Sequence, residues 1–275
     1  MRKYRMLRQR LSLEAGFEFE PAPLATREEV EMAHSPEYVS SFLAGTLSAE
    51  AIRRIGFPWS QGLVRRTLAS VGGTIAAARR AMQTGWGGTL AGGTHHAFFD
   101  YGSGYCVFND IAVAIRGLTT RGAIARAAVV DLDVHQGDGT AALFSGDDAV
   151  LTVSVHGRNN FPFRKQVSNV DVELPDDAGD SDLFAVLDGV LARVWEFQPD
   201  VVFYQSGVDG LEEDKLGRLS LTLDGLRRRD EWVLGDCRQH GVPVVVTLGG
   251  GYADPIERTV EAHAATFLVS RQIWS

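Results

Sequence analysis

Five stretches of the chain are apolar and are followed by glycine and polar residues: Gly88 to Ala91, Ala127 to Leu132, Ala149 to Val155, Asp200 to Tyr204 and Val242 to Leu248. Short apolar runs bounded by turn residues read as buried strands. Several are unbroken, which suits a parallel sheet covered on both faces. Helical patterns lie between them. Val71 to Met82 is alanine-rich, and Asn109 to Leu118 is apolar. Ser181 to Phe197 opens on a serine cap candidate and stops before Pro199, and Thr222 to His240 stops before Gly241 and Pro243. Pro255 to Leu268 places proline in a favourable first turn. Strand alternating with helix predicts an α/β doubly wound fold, a mostly parallel sheet with helices on both faces. No repeat, linker or composition break divides the chain, so 1–275 reads as a single domain.

The polar residues fall where such a fold places ligands, at the carboxyl ends of strands. Gly92-Gly93-Thr94-His95-His96 follows the first run. Asp131-Leu132-Asp133-Val134-His135-Gln136-Gly137-Asp138-Gly139 closes the second. Ser206-Gly207-Val208-Asp209-Gly210 follows the fourth, and Gly249-Gly250-Gly251-Tyr252 the fifth. Isolated buried carboxylates are expensive and must be paired or bound to a cation. Asp133 and His135 sit two apart, so in extended chain they point the same way. With Asp209 they make a three-ligand set that would leave a zinc ion open positions for water and substrate. Val-Asp-Gly is also good turn chemistry, the plainer reading of Asp209.

His95 and His96 can move a proton if they face that metal, with Asp131 and Asp138 as carboxylates that fix their tautomers. The plainer reading is a solvated Thr-His-His turn. Tyr252 can donate to an oxyanion; alternatively Gly-Gly-Gly-Tyr is a turn. It lacks the dinucleotide and P-loop patterns. No Gly-x-Ser-x-Gly elbow is present, and Cys106 has no obvious base beside it, so covalent catalysis is unsupported. The residues point to metal-assisted hydrolysis of a carbonyl compound.

Composition narrows the setting. The net charge is −8, which argues against a nucleic-acid binder. Two cysteines, Cys106 and Cys237, read as reduced thiols of a cytoplasmic protein. No apolar stretch is long enough to span a bilayer. Met1 to Leu11 is basic without an apolar core, and reads as a helix with a solvated charged face rather than a secretory signal. Arg227-Arg228-Arg229-Asp230-Glu231 likewise reads as a solvated helix face. His34 reads as a helix entrance, His156 as a packing residue, and His240 and His263 as helix ends or surface.

The four strand-end motifs, together with Gly104-Tyr105-Cys106-Val107-Phe108-Asn109-Asp110, resemble the zinc-dependent histone deacetylase superfamily. Order and spacing agree from about Val71 to the C-terminus. Gln136 after His135 looks like the class IV branch and its bacterial relatives. The resemblance implies the arginase–deacetylase fold and zinc, with iron(II) a further possibility, on Asp133, His135 and Asp209. It implies His96 with Asp138 as general base and acid, His95 with Asp131 as electrostatic partner, and Tyr252 as carbonyl clamp. It implies a structural potassium ion near Asp131, the backbone oxygens of Asp133 and His135 and the Ser154 side chain. A second cation would lie near Phe144, Asp147 and Val150. Tyr105 and Phe161 match the walls of an acyl-lysine channel, beside Gly104 and Gly250, with Leu216 at its rim. The expected substrate is an acyl-lysine peptide or protein, or a small acylated amine such as an acetylpolyamine. A metal-binding regulatory protein without catalysis and a two-manganese ureohydrolase are the rival readings. The loop Arg54-Ile55-Gly56-Phe57-Pro58-Trp59 lacks the aspartate with which many members hold the substrate backbone. The family's preceding strand and loop are also missing, so either the start lies upstream of Met1, in which case added upstream sequence should raise stability, or the edge of the sheet differs.

Overall fold

The computed structural model describes residues 2–275. In chain order the elements are α1 (Arg2–Leu11), α2 (Arg27–Glu31), α3 (Pro36–Ala44), α4 (Ala49–Ile55), α5 (Gln61–Thr84), β1 (Trp86–Gly88), α6 (Asp110–Thr120), β2 (Ala127–Asp131), α7 (Asp138–Leu143), β3 (Val150–Gly157), β4 (Val170–Leu174), α8 (Asp180–Phe197), β5 (Val201–Gln205), α9 (Leu223–His240), β6 (Val244–Thr247) and α10 (Ile256–Trp274). The six strands form one sheet in the order β1-β6-β5-β2-β3-β4, and every pairing is parallel.

Every residue of β2, β3, β5 and β6 is buried. Alternate side chains serve opposite layers. Ala128 and Val130 join the core shared with α8, α9 and α10, while Ala127 and Val129 join the core shared with α3, α5 and α6. From β2 the chain steps outward to β3 and β4; from β5 it steps the other way to β6. The sheet reverses between β2 and β5, where a cleft opens at the strand ends.

Several boundaries depart from the sequence expectation. The first strand ends at Gly88 rather than starting there. Thr89 N–H still donates to Val246 O at 3.1 Å before the chain peels away. The long helix begins at Gln61, ten residues earlier than expected, capped by Ser60. The expected cap Ser181 lies inside α8, whose cap is Gly179. Strand β4 was not anticipated. As an edge strand its burial alternates, so its Val-Asp-Val-Glu-Leu sequence carries a period of two instead of an unbroken apolar run. No helix among the described residues is long and apolar enough to cross a membrane.

Candidate metal and active site

Strands β2 and β5 pair in register with Asp131 opposite Gln205, so the loops bearing Asp133, His135 and Asp209 emerge side by side. Backbone donors aim the carboxylates. Asp133 Oδ1 accepts from His135 N–H at 3.0 Å and Oδ2 from Gly250 N–H at 2.7 Å. Asp209 Oδ1 accepts from Val134 N–H at 3.0 Å. His135 Nδ1 then lies 3.1 Å from Asp133 Oδ1 and 3.0 Å from Asp209 Oδ2. One ligand atom from each residue falls within 4.8 Å of the others. Gly250 allows this closeness, since a Cβ there would run into the Asp209 carboxylate.

The charge on this triad calls for a cation. Asp133 and Asp209 are 1% and 0% exposed. Burial, then the Asp133 charge, raises the Asp209 pKa. Burial alone would depress His135, but the Asp209 and Asp133 charges outweigh it and lift its pKa to about 10. A proton on His135 thus partly balances the two carboxylates. The donor set, two carboxylates and one imidazole, suits a divalent cation, which would take that proton's place.

The loop after β1 delivers the histidine pair. Asp110 holds it: its carboxylate accepts from Gly93 N–H (2.9 Å), Thr94 N–H (2.7 Å), Thr94 Oγ1 (2.5 Å) and Thr74 Oγ1 (2.5 Å). His95 Nδ1 meets Asp131 Oδ2 at 2.7 Å, and His96 Nδ1 meets Asp138 Oδ1 at 2.7 Å. The rings lie 4.0 Å apart. Matched partners do not make matched acidities. His95 Nε2 is also 3.9 Å from Asp133 Oδ1. Burial opposes its charge, but Asp131 and Asp133 overcome it and raise the pKa to about 9. Burial and then the charge of His95 push His96 down to about 4. One imidazole is held cationic and the other neutral at neutral pH.

A cavity of about 2080 Å³ opens above these groups, lined by His96, Gly104, Tyr105, Phe161, Leu216 and Tyr252 among others. Phe161 stands edge-on to His96 at 4.9 Å. Gly104 has φ +53°, and a Cβ there would lie 2.7 Å from the His96 ring. Tyr105, at φ 65°, is half exposed at the rim. Tyr252 is 37% exposed as a residue, yet burial around its phenol and then the Asp209 charge raise its pKa well above the ordinary range, so it stays protonated as a donor. Cys106 is buried, which raises its thiol well above the usual range; it is no nucleophile.

The residues expected around monovalent cations also come together. The β2–β3 register sets Ser154 beside Asp131, and Ser154 Oγ lies 2.9 Å from His156 Nδ1. Phe144, Asp147 and Val150 share one turn, joined by Asp147 N–H to Phe144 O (3.0 Å) and Val150 N–H to Asp147 O (3.1 Å). The Asp147 carboxylate pairs with Arg116 at 2.6 Å.

Three features overturn the sequence expectation. Arg229 and Asp230, read as a solvated face, are each 0% exposed. Arg229 donates to Gly207 O (2.7 Å), Leu132 O (3.3 Å) and Ser206 O (3.4 Å). Asp230 Oδ1 receives it at 2.8 Å and also Tyr204 OH at 2.5 Å, while its Oδ2 takes Thr266 Oγ1 at 2.6 Å. The pair braces the loops of Asp133 and Asp209 from below. Lys3, on the supposedly solvated basic helix, is buried; its Nζ donates to Gly249 O (3.2 Å) and Gly251 O (3.3 Å) and sits 4.9 Å over the Tyr252 ring. His263, expected at the surface, is buried behind Gly251. His34 stands at the entrance to α3, as the sequence indicates, and its buried ring ties Phe98 O to Asn109 N–H. The helix-face signal for Arg229 was available: Leu226, Val233, Leu234 and Cys237 mark the buried stripe of α9, and positions 229 and 230 fall on it.

The model of the histone deacetylase domain matches residues 2–267. The chain belongs to the histone deacetylase family. It is 32% identical over 251 residues to human histone deacetylase 1, covering 83% of this chain and 51% of that protein. It is 30% identical over 247 residues to histone deacetylase 2 of Arabidopsis thaliana, covering 86% and 64%. An uncharacterized protein of Picosynechococcus sp. is 45% identical over 255 residues, covering 91% and 84%. The chain thus spans between half and two thirds of these two named deacetylases. Among solved structures, an acetylpolyamine aminohydrolase from Burkholderia pseudomallei superposes with TM-score 0.82 at 21% identity over 98% of this chain and 90% of that one. The HD domain of HDA15 gives 0.80 at 22% over 98% and 83%. Both share the fold. The family match begins at residue 2, so it reaches well ahead of the Val71 limit read from the motifs.

Proposed function

We propose that this histone deacetylase family member removes an acyl group from a lysine side chain with a divalent metal, zinc or iron(II), held by Asp133, His135 and Asp209. The observation that supports it most is the convergence of that triad with two His–Asp pairs of opposite acidity at one cleft. When bound, the metal polarises the carbonyl and acidifies water.

The protein's own groups supply the rest. His96, held neutral and oriented by Asp138, accepts a proton at Nε2 from the attacking water and returns it to the leaving amine nitrogen. His95, oriented by Asp131, keeps a positive charge beside the reacting centre; environments that split two like groups assign their roles. Tyr252 donates its phenol to the developing oxyanion. Gly104, Tyr105, Phe161, Gly250 and Leu216 wall the alkyl chain and exclude water. A potassium ion on Asp131, Asp133, His135 and Ser154, and a second near Phe144, Asp147 and Val150, would stiffen the strand ends beneath.

The test is hydrolysis by metal-loaded protein of acetyl-lysine peptide, myristoyl-lysine peptide and acetylputrescine, side by side with metal content on the same sample. Turnover of a lysine substrate, lost on chelation and restored by metal, is expected. Turnover of acetylputrescine alone would shift the reading to small amines, and no turnover of any would end it.

A further inference from the structure

The chain is acidic, with net charge −8, but the wall of the cavity above the metal triad is not. Nine Lys or Arg residues line that cavity against four Asp or Glu, and two of those four are Asp133 and Asp209 on its floor. Eight of the nine come from α1, α4 and α5, while the ninth, Arg218, lies beside Asn160 and pairs with Asp176 at 3.2 Å. The end of α4 forms the rim: Tyr105 N–H donates to Ile55 O at 2.8 Å, and the Tyr105 ring lies 5.1 Å from Phe57. Arg66 stacks 4.5 Å over Phe57, and Arg54 stacks 4.8 Å over Tyr101 while reaching Glu50 at 3.4 Å. Arg53 stands beside them. Arg2 and Arg5 of α1 line the same cavity. Neither these two nor Arg53 is within ion-pair distance of a carboxylate among the described residues. The opposite rim exposes Leu216 (47%) and Phe163 (88%), and the Arg218 charge there is paired with Asp176. Its nearby acid, Asp214, is occupied by the N–H groups of Leu216, Gly217 and Tyr252.

We propose, building on the deacylase reading above, that this rim selects acyl-lysines carried in acidic polypeptide segments. Aspartate or glutamate flanking the acylated lysine would meet the Arg53–Arg54 side while the acyl chain enters between Tyr105 and Phe161. A free polyamine carries its remaining charges as ammonium groups, which this wall repels. An electropositive mouth on an acidic protein also steers acidic carriers toward the cleft, and such steering fades as salt shortens the Debye length to about 3 Å at 1 M.

The experiment reads binding without turnover, so it separates this inference from the deacylase reading. Two fluorescein-labelled peptides carry an uncleavable hydroxamate side chain in place of the acyl-lysine, one flanked by glutamates and one by lysines. Their affinities for zinc-loaded protein are measured by anisotropy across a salt series. The acidic peptide should bind about tenfold more tightly at low salt, with the gap closing at high salt as screening dictates. Arg53→Glu with Arg54→Glu should abolish or reverse the preference. Both side chains are exposed, and the wild-type salt series stands without the variants. Equal affinities at low salt, or a preference for the basic peptide, would overturn the inference while hydrolysis of acyl-lysine kept the reading intact.

Discussion

Replacing Arg229 with methionine should cost this protein a large part of its stability and loosen its metal site. The guanidinium is wholly buried and donates to three carbonyls and one carboxylate. Methionine fills similar volume and donates nothing. It would leave Asp230 as a buried charge retaining only the hydroxyls of Tyr204 and Thr266. Breaking one side of a buried pair costs about 3–5 kcal/mol, against a total of roughly 5–15 kcal/mol for a folded domain. Gly207 and Leu132, whose carbonyls would lose their donor, flank the segments bearing Asp209 and Asp133. Metal affinity should therefore fall along with stability. Urea unfolding of metal-free protein at neutral pH measures the first effect, and zinc titration against a competing chelator measures the second. A double-mutant cycle with Asp230→Asn isolates the coupling. A loss under about 1 kcal/mol, the size of an ordinary hydrogen bond, would show that the brace is dispensable and the reasoning wrong.

Asp133→Ala should leave a folded protein that retains little metal by elemental analysis; full metal content would remove Asp133 from the ligand set. Tyr252→Phe should keep its metal and lose about 10²–10³ in kcat, the usual size for one oxyanion donor, and a wild-type rate would refute that role. Stability should also depend on pH through His34, whose folded pKa burial lowers to about 4. Above about pH 6.5 both folded and unfolded chains carry it neutral. As pH falls from there toward 4 only the unfolded chain takes up the proton, and roughly 3 kcal/mol is lost. His156, lowered to about 4 chiefly by burial, shares that window. His34→Gln should flatten the stability-against-pH slope between pH 6.5 and 4, and an unchanged slope would mean His34 is not held neutral.

The central sheet was legible because β2, β5 and β6 are buried on both faces and spell nearly continuous apolar runs, while β3 interleaves Thr152, Ser154 and His156 with its apolar residues. The site was legible because its residues are carried by strand-end motifs, each rich in glycine where backbone must approach closely. What escaped had a mixed signal. β4 is half solvated. Arg229 and Asp230 sit in a run of charges whose neighbours, Arg227 and Arg228, do face water. Their charge matched a surface while their position on the helix matched the core. Lys3 and His263 reach the glycine loop from opposite ends of the chain, a juxtaposition that depends on α1 packing against α10 and leaves no trace in local sequence. Asp110 was visible as part of a motif, but its grip on Gly93 and Thr94 is a long-range fact.

The reversal of the sheet between β2 and β5 has a bearing on how this scaffold can diversify. The chain departs from those two strands toward opposite edges, so neither connection passes over the cleft. Segments Arg158 to Asn169 and Leu211 to Ser220 border the mouth but are also tied to the floor, through the Gln136 side chain bonded to Gln166 N–H and O and through Asp214, which accepts from Tyr252 N–H. Rim and floor are thus mechanically joined, so a graft of rim loops from a relative would have to keep Asp214 and Gln166 to leave the floor in place.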